Sequence, residues 1–131
     1  MGEFEVACAA GSLRPDPAEG DIVHLDHRWT AGGVDLSITF TGAHLFHASV
    51  AACILNDVYR EAARLGVRVE GVRVCAGGGF SESWSSTGIE YTVEVDSPAE
   101  PATVEELIAI VDRVAEIPRT LRHSAVVTRK P

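Results

Sequence analysis

The chain has few basic residues and no cluster of them: 11 Lys and Arg stand against 19 Asp and Glu, a net charge of −8 over 131 residues. Because nucleic acids and anionic membranes attract clustered positive charge, we expect neither as a partner. A charge-free apolar run of about 18 residues is also lacking, as is a basic and then apolar N-terminus. We therefore expect no transmembrane span and no export signal.

Cysteine is scarce, and its arrangement excludes two common roles. Cys8, Cys53 and Cys75 are odd in number, widely spaced and without a CxxC pair. This pattern argues against a disulfide framework and a structural zinc site, and we predict no metal and no cofactor. Three unpaired thiols suit a reducing cytoplasm. Internal repeats and low-complexity segments are lacking too, so the length and the 46% hydrophobic content predict a single domain over residues 1–131.

The order of the predicted elements indicates an α+β domain. Alternation of apolar and polar residues predicts strands, and the sheets are expected to be mainly antiparallel, with helices packed against them. The predicted strands are Phe4–Ala9, Ile22–Trp29, Val34–Phe40, Val67–Cys75 with a bulge at Glu70–Gly71, one beginning over Phe80–Trp84, Ile89–Val95 and Ser124–Thr128.

Two helices and one turn complete the prediction. The first helix is long and central and runs from Gly42 to Gly66, a glycine suited to a left-handed stop. The second begins with a capping box formed by Thr103 and Glu106 and ends at Pro118. The glycine run Gly77–Gly79 predicts a flexible turn between two strands.

Cys53 lies near the middle of the long helix, where the buried surface gives way to polar residues. At 100° per residue it shares a face with Asn56 and Arg60, and Ser49 and Asp57 lie one turn away on either side. Free cysteine in an apolar context such as Ala-Ala-Cys-Ile-Leu is typically core filling. A reactive thiol needs an electropositive setting, and a charged Asp57 would raise the thiol pKa unless Arg60 or another cation outweighed it. The residues alone leave both readings open.

Two histidines near the start of this helix are further candidates. His44 or His47 could lower the pKa of a thiol or position a substrate oxygen. On the helical wheel, however, His47 lies about 120° and His44 about 180° from Cys53, so contact would require a dimer seam or an unwound first turn. A metal site is weaker still, because no third ligand is evident. The alternative is that both are half-buried, hydrogen-bonded structural residues.

Two segments carry a family resemblance. Leu45–Val74 contains Ala-Ala-Cys in a long helix, then Gly66 and the sequence VEGVRV, and Ile117–Leu121 reads IPRTL. In this order the segments resemble the OsmC/Ohr family of thiol-dependent hydroperoxide reductases. The resemblance implies an OsmC-like fold and an intertwined homodimer, in which two long central helices are wrapped by sheets from both subunits.

The resemblance also implies a role for Cys53 as the peroxidatic cysteine. In the family's chemistry this thiolate attacks the O–O bond of an organic hydroperoxide and forms a sulfenic acid, which a second cysteine resolves as a disulfide. The chain departs from this pattern at three positions. Ala115 stands where the resolving cysteine is expected, Glu116 replaces the proline after it, and Ala43 replaces a glutamate of the Ohr branch. Arg14 is the candidate for the arginine that pairs with that glutamate.

Two hypotheses of different class follow. The first is a hydroperoxide reductase that uses Cys53 alone and is regenerated by an external thiol reductant. The alternative is a non-catalytic member of the fold that binds an apolar small molecule or senses oxidants through Cys53. The candidate pocket or activating residues around Cys53 are His44, His47, Ser49, Asp57 and Arg14.

Overall fold

A computed structural model describes residues 3–16, 21–123, 126–127 and 129 of the chain. The elements are β1 (Val6–Gly11), β2 (Ile22–Leu25), β3 (Val34–Ser37), α1 (Gly42–Leu65), β4 (Gly71–Phe80), β5 (Ser86–Asp96), α2 (Pro101–Val114) and α3 (Glu116–Arg122). The strands form one sheet in the order β2-β3-β1-β4-β5, and each pair of neighbours is antiparallel. The predicted α+β class is therefore confirmed. The predicted strand Ser124–Thr128 falls mostly on residues outside the described ranges.

The inner face of the sheet is apolar because alternate residues of its central strands point toward the helices. Cys8 of β1 lies opposite Leu36 of β3 and Val74 of β4; Cys8 and Val74 belong to the main hydrophobic core, and the partly buried Leu36 packs against it. Side chains on a strand alternate between the two faces, so this register places one continuous apolar layer beneath α1.

The long helix α1 has the predicted bounds, and local chemistry explains both ends. The Thr41 hydroxyl accepts a hydrogen bond from the backbone N–H of His44, which caps the start of the helix. Gly66 ends it with φ 72°, a left-handed conformation that glycine adopts without strain. Ile54 and Val58 are fully buried between the sheet and α2. Among the described residues, none of the helices combines the length and apolarity needed to cross a bilayer.

The prediction of a flexible turn at the glycine run is wrong. Gly77–Gly79 lies inside β4, and the turn follows it, where the Ser81 N–H donates to the Ser85 carbonyl. Phe80 is the last residue of β4 and residues 81–85 form the turn, so the prediction that Phe80–Trp84 begins a strand is wrong. The bulge also lies elsewhere than expected, between Gly78 and Phe80.

The second helix also differs from its prediction. It begins at Pro101, whose fixed φ suits a first helical position, and no side chain caps it, so the Thr103–Glu106 capping box does not form. Pro118 does not end it either: α2 stops at Val114, Ala115 takes an extended ψ of 125°, and a third helix follows. Pro118 falls in the first turn of α3, where a missing N–H is tolerated. The break at Ala115 turns α3 back toward α1, with which it packs.

Candidate functional site

Cys53 lies in the middle of α1 and is covered by the start of α3. Its side chain is 7% exposed. The Cys53 Sγ donates to Oε2 of Glu116 at 3.7 Å and accepts from the backbone N–H of Ile117 at 3.5 Å. The sulfur therefore has two polar neighbours at the border of the core. The sequence marks Glu116 only as a departure from the family's proline, and its contact with the thiol was not predicted.

Arg60 joins the two carboxylates nearest to the sulfur. Its Nη2 lies 2.8 Å from Oδ2 of Asp57, and its Nη1 lies 2.8 Å from Oε1 of Glu116. Asp57 is almost fully buried, whereas the side chain of Glu116 is 59% exposed. One guanidinium thus holds a buried and an exposed carboxylate together beside Cys53 (we call these four residues the Cys53 cluster).

Burial, hydrogen bonds and neighbouring charges shift the pKa values of three groups in the Cys53 cluster. Burial raises the pKa of the Cys53 thiol, the Ile117 N–H opposes that rise, and the charges of Asp57 and Glu116 add to it. Burial raises the pKa of Asp57 to about 6 against the attraction of Arg60. Hydrogen bonds from its own backbone N–H and from Arg60 lower the pKa of Glu116. At neutral pH the site accordingly pairs a protonated thiol with an ionised carboxylate.

The sulfur and carboxylate oxygens of the Cys53 cluster are also possible metal ligands. The Cys53 Sγ and one carboxylate oxygen each from Asp57 and Glu116 lie within 4.8 Å of one another, a spacing that could hold a metal ion. The Arg60 guanidinium already bonds both carboxylates. A metal ion would have to displace this guanidinium from both carboxylates.

The other candidates on α1 bond elsewhere. The Ser49 hydroxyl donates to the backbone carbonyl of Phe46 at 2.7 Å. His44 Nδ1 lies 2.6 Å from the Thr41 hydroxyl, and His47 Nδ1 donates to the Ala43 carbonyl at 2.8 Å. His47 is fully buried, with the rings of Phe4, Phe46 and Phe80 around it. In the described part of the chain, no hydrogen bond links Ser49, His44 or His47 to Cys53.

Arg14 belongs to a separate polar network. Its Nε donates to Oδ2 of Asp35 at 3.0 Å and its Nη1 to the Gly32 carbonyl at 3.2 Å. His24 Nδ1 lies 2.5 Å from the other oxygen of Asp35, and this hydrogen bond, followed by those from Arg14, lowers the pKa of that carboxyl. Arg14 thus fastens the loop after β1 to β3, and within the described residues it does not contact Cys53.

The other two thiols lie on opposite faces of the sheet. Cys8 is opposite Val74, and Cys75 is opposite Ala7, so neighbouring positions point away from each other. Burial raises the pKa of Cys8 to about 12, which makes it a poor nucleophile at neutral pH. All three cysteines are free thiols.

A mostly apolar cavity of about 200 Å³ is lined in part by Val50 and Pro118, which are near neighbours in the chain of the residues at the Cys53 sulfur. Val50, on its wall, precedes Cys53 by one helical turn, and Pro118 follows Ile117 directly. The remaining lining residues come from β5 and α3: Ser86, Gly88, Ile89, Tyr91, Leu121 and Arg122. The cavity is large enough for a small organic group.

Two solved structures have similar folds. An OsmC-like protein from Mycoplasma pneumoniae is 19% identical, with a TM-score of 0.59 over 66% of this chain and 64% of that chain, less than two thirds of its length. An OsmC-like hydroperoxide resistance protein from Jannaschia sp. is 14% identical, with a TM-score of 0.50 over 95% of this chain and 91% of that chain. Comparison with curated proteins gives no significant match.

A family model confirms the resemblance of Leu45–Val74 and Ile117–Leu121. The sequence model of the family described as OsmC-like protein matches residues 34–130, more than half of the chain, and covers α1, α3 and Cys53. Both similar structures carry the same family description. The chain belongs to the OsmC-like protein family.

Proposed function

We propose that this chain reduces organic hydroperoxides with Cys53 as its single reacting cysteine and an external small thiol as its reductant. Family membership and the hydroperoxide resistance named for the Jannaschia protein support a peroxide-related role at the level of the family. The observation that carries the proposal for this chain is the setting of Cys53. Its sulfur has a carboxylate and a backbone N–H as neighbours, so aliphatic side chains alone do not surround it.

The chemistry proceeds in two stages. The Cys53 sulfur attacks one oxygen of the hydroperoxide, the O–O bond breaks, and the products are an alcohol and a Cys53 sulfenic acid. One external thiol then forms a mixed disulfide with Cys53 and releases water. A second thiol frees Cys53 and leaves as the external disulfide. An external reductant is needed because Ala115 occupies the position of the resolving cysteine and because Cys8 and Cys75 lie on the sheet.

The 200 Å³ cavity lined in part by Val50 and Pro118 suggests the class of substrate. Val50, Ile89, Pro118 and Leu121 give it a mostly apolar lining. Burial of an apolar group there is favourable by roughly 25 cal/mol per Å². We therefore propose hydroperoxides with hydrophobic tails, such as cumene hydroperoxide, in preference to hydrogen peroxide.

We also propose that two chains form a homodimer. Large apolar side chains on β2 and around the start of α1 are exposed, namely Val23, Leu25, Phe40 and Leu45. A second copy would remove these side chains from water. The family resemblance implies such a dimer, in which sheets from both subunits wrap two long central helices. Sedimentation equilibrium should give twice the mass of 13.9 kDa; a monomer at micromolar concentration would contradict this part of the proposal.

Turnover tests the function. With excess dithiothreitol, the wild-type protein should consume many equivalents of cumene hydroperoxide per chain, and Cys53→Ser should abolish this. Cys8→Ser and Cys75→Ser serve as controls and should retain nearly full activity. Activity that survives Cys53→Ser would refute the assignment.

A second candidate is oxidant sensing or the binding of an apolar molecule without turnover. It is favoured by the low exposure of Cys53 and by the burial that raises its pKa. The same assay separates the two. Consumption of one equivalent of hydroperoxide per chain, with no further turnover in excess thiol, would exclude the enzyme and leave this second candidate.

A further inference from the structure

On the basis of the proposed hydroperoxide reduction, we propose that Glu116 is a catalytic residue that accepts the proton of the Cys53 thiol and returns it to the departing alkoxide. Glu116 stands where the family has a proline, so this role is specific to this chain and is not one that the family resemblance implies. Three features of the site support this role: the different partners of the two carboxylate oxygens, the protonation of the thiol, and the exposure of the carboxylate.

The two oxygens of Glu116 have different partners. Oε1 is held by Arg60 Nη1 at 2.8 Å, and Oε2 faces the Cys53 Sγ at 3.7 Å. One oxygen anchors the side chain, and the other can take a proton from the sulfur after a small approach. Catalytic hydrogen bonds are often long before the substrate binds and shorten in the reacting complex.

The thiol needs a base because its surroundings do not ionise it. Burial and two nearby negative charges raise its pKa, and among the described residues the single guanidinium of the cluster is bonded to Asp57 and Glu116 and not to the sulfur. Glu116, in contrast, has a lowered pKa and is ionised at neutral pH. A protonated nucleophile beside an ionised carboxylate is an arrangement for general base catalysis.

Asp57 is a poorer candidate for the same role. It is almost fully buried, and Arg60 Nη2 bonds its Oδ2. Glu116 is 59% exposed, so its free oxygen can meet both the thiol and an incoming hydroperoxide. The exposed carboxylate is therefore the one that can serve both halves of the proton transfer.

Atoms and charge balance in this step. Glu116 Oε2 takes the proton from Cys53 while the sulfur attacks the terminal oxygen of ROOH, whose O–O bond breaks. The leaving RO⁻ takes the proton from Glu116, and the terminal O–H remains on sulfur. Cys–SH and ROOH become Cys–SOH and ROH; the sulfur is oxidised and the peroxide reduced, and the carboxylate is restored.

The test compares two reactions of Cys53 in Glu116→Gln. Oxidation by cumene hydroperoxide needs a proton for the alkoxide, whereas alkylation by iodoacetamide releases iodide, which needs none. We expect oxidation to slow about 100-fold, within the usual range for general acid–base catalysis. Alkylation at the same pH should slow far less than oxidation, because iodide needs no proton and because removal of a negative charge lowers the pKa of the thiol. Glu106→Gln, an exposed position on α2, is the matched control and should change neither rate.

The pH profile and a conservative variant complete the test. The wild-type oxidation rate should be nearly constant between about pH 6 and 8, whereas that of Glu116→Gln should rise up to tenfold per unit as thiolate becomes available. Glu116→Asp should recover part of the rate. Oxidation in Glu116→Gln that equals or exceeds wild type would overturn the role of Glu116 and leave the function of Cys53 intact. Wild-type oxidation no faster than that of free cysteine would instead contradict the proposed function, and this inference with it.

Discussion

Arg60 Nη1 donates to Oε1 of Glu116 at 2.8 Å, a hydrogen bond that fastens the first residue of α3 to the C-terminal part of α1. These residues are 56 positions apart in the chain. The bond therefore contributes both to the position of α3 and to the charge balance beside Cys53.

Arg60→Ala should weaken the fold and make Cys53 harder to ionise. Loss of the guanidinium leaves two carboxylates without their cation beside the thiol, so the midpoint of Cys53 alkylation by iodoacetamide should move to higher pH. The free energy of unfolding should fall by about 2 kcal/mol, because hydrogen bonds to charged groups are lost. Arg64→Ala, which removes an exposed cation from the buried Glu61 on the same helix, is the control for the alkylation midpoint. An unchanged alkylation midpoint in Arg60→Ala would contradict the described charge balance.

Asp57 should make stability depend on pH in a definite direction. Its folded pKa of about 6 exceeds its ordinary value of 3.8, so the folded state binds more protons between these values. The stability from this group is complete below about pH 4 and is lost as the pH rises through 6. The free energy of unfolding of wild type relative to Asp57→Asn should therefore fall between pH 4 and 7, by up to about 3 kcal/mol. Urea titrations that give the same difference at both pH values would contradict a buried Asp57 with a raised pKa.

Gly78 should be far less tolerant of substitution than its neighbour. A Cβ at Gly78 would lie 2.1 Å from the Gly88 carbonyl oxygen across the β4–β5 pair, and this backbone atom cannot move aside. At Gly79 the nearest atom is the Thr87 hydroxyl at 3.4 Å. Gly78→Ala should lower the free energy of unfolding by about 2–3 kcal/mol, as overpacking does, and Gly79→Ala by clearly less. Equal urea midpoints for the two variants would contradict this packing.

Local sequence patterns predicted some of these features, whereas contacts between distant residues determine the others. The bounds of α1 were predictable because Gly66 and the apolar pattern are local signals, and Cys53 was correctly placed at the edge of the buried face. The place of Gly77–Gly79 was not, because the need for glycine at Gly78 comes from Gly88 on the next strand. The contact of Cys53 with Glu116 spans 63 positions and depends on the break at Ala115, which no local pattern signals.

Ala115→Cys tests whether the missing resolving cysteine can be restored. Ala115 is fully buried and directly precedes Glu116 and Ile117, which contact the Cys53 sulfur. One equivalent of hydroperoxide should therefore produce a disulfide between Cys53 and the introduced cysteine, detected as a mass loss of about 2 Da and a cross-linked peptide, since the geometry requires Cα atoms within about 7 Å. Ala109→Cys, on the exposed face of α2, is the control. Failure to form the bond in a folded, oxidised variant would contradict the assignment of position 115 to the family's resolving cysteine.

The most direct test of Cys53 as the peroxide-reacting thiol is to trap its sulfenic acid. The native protein is treated with one equivalent of cumene hydroperoxide in the presence of dimedone, and the peptides are analysed by mass spectrometry. We expect a dimedone adduct on Cys53, with Cys8 and Cys75 unmodified. An unmodified Cys53, or an adduct distributed over the other two cysteines, would contradict this role of Cys53.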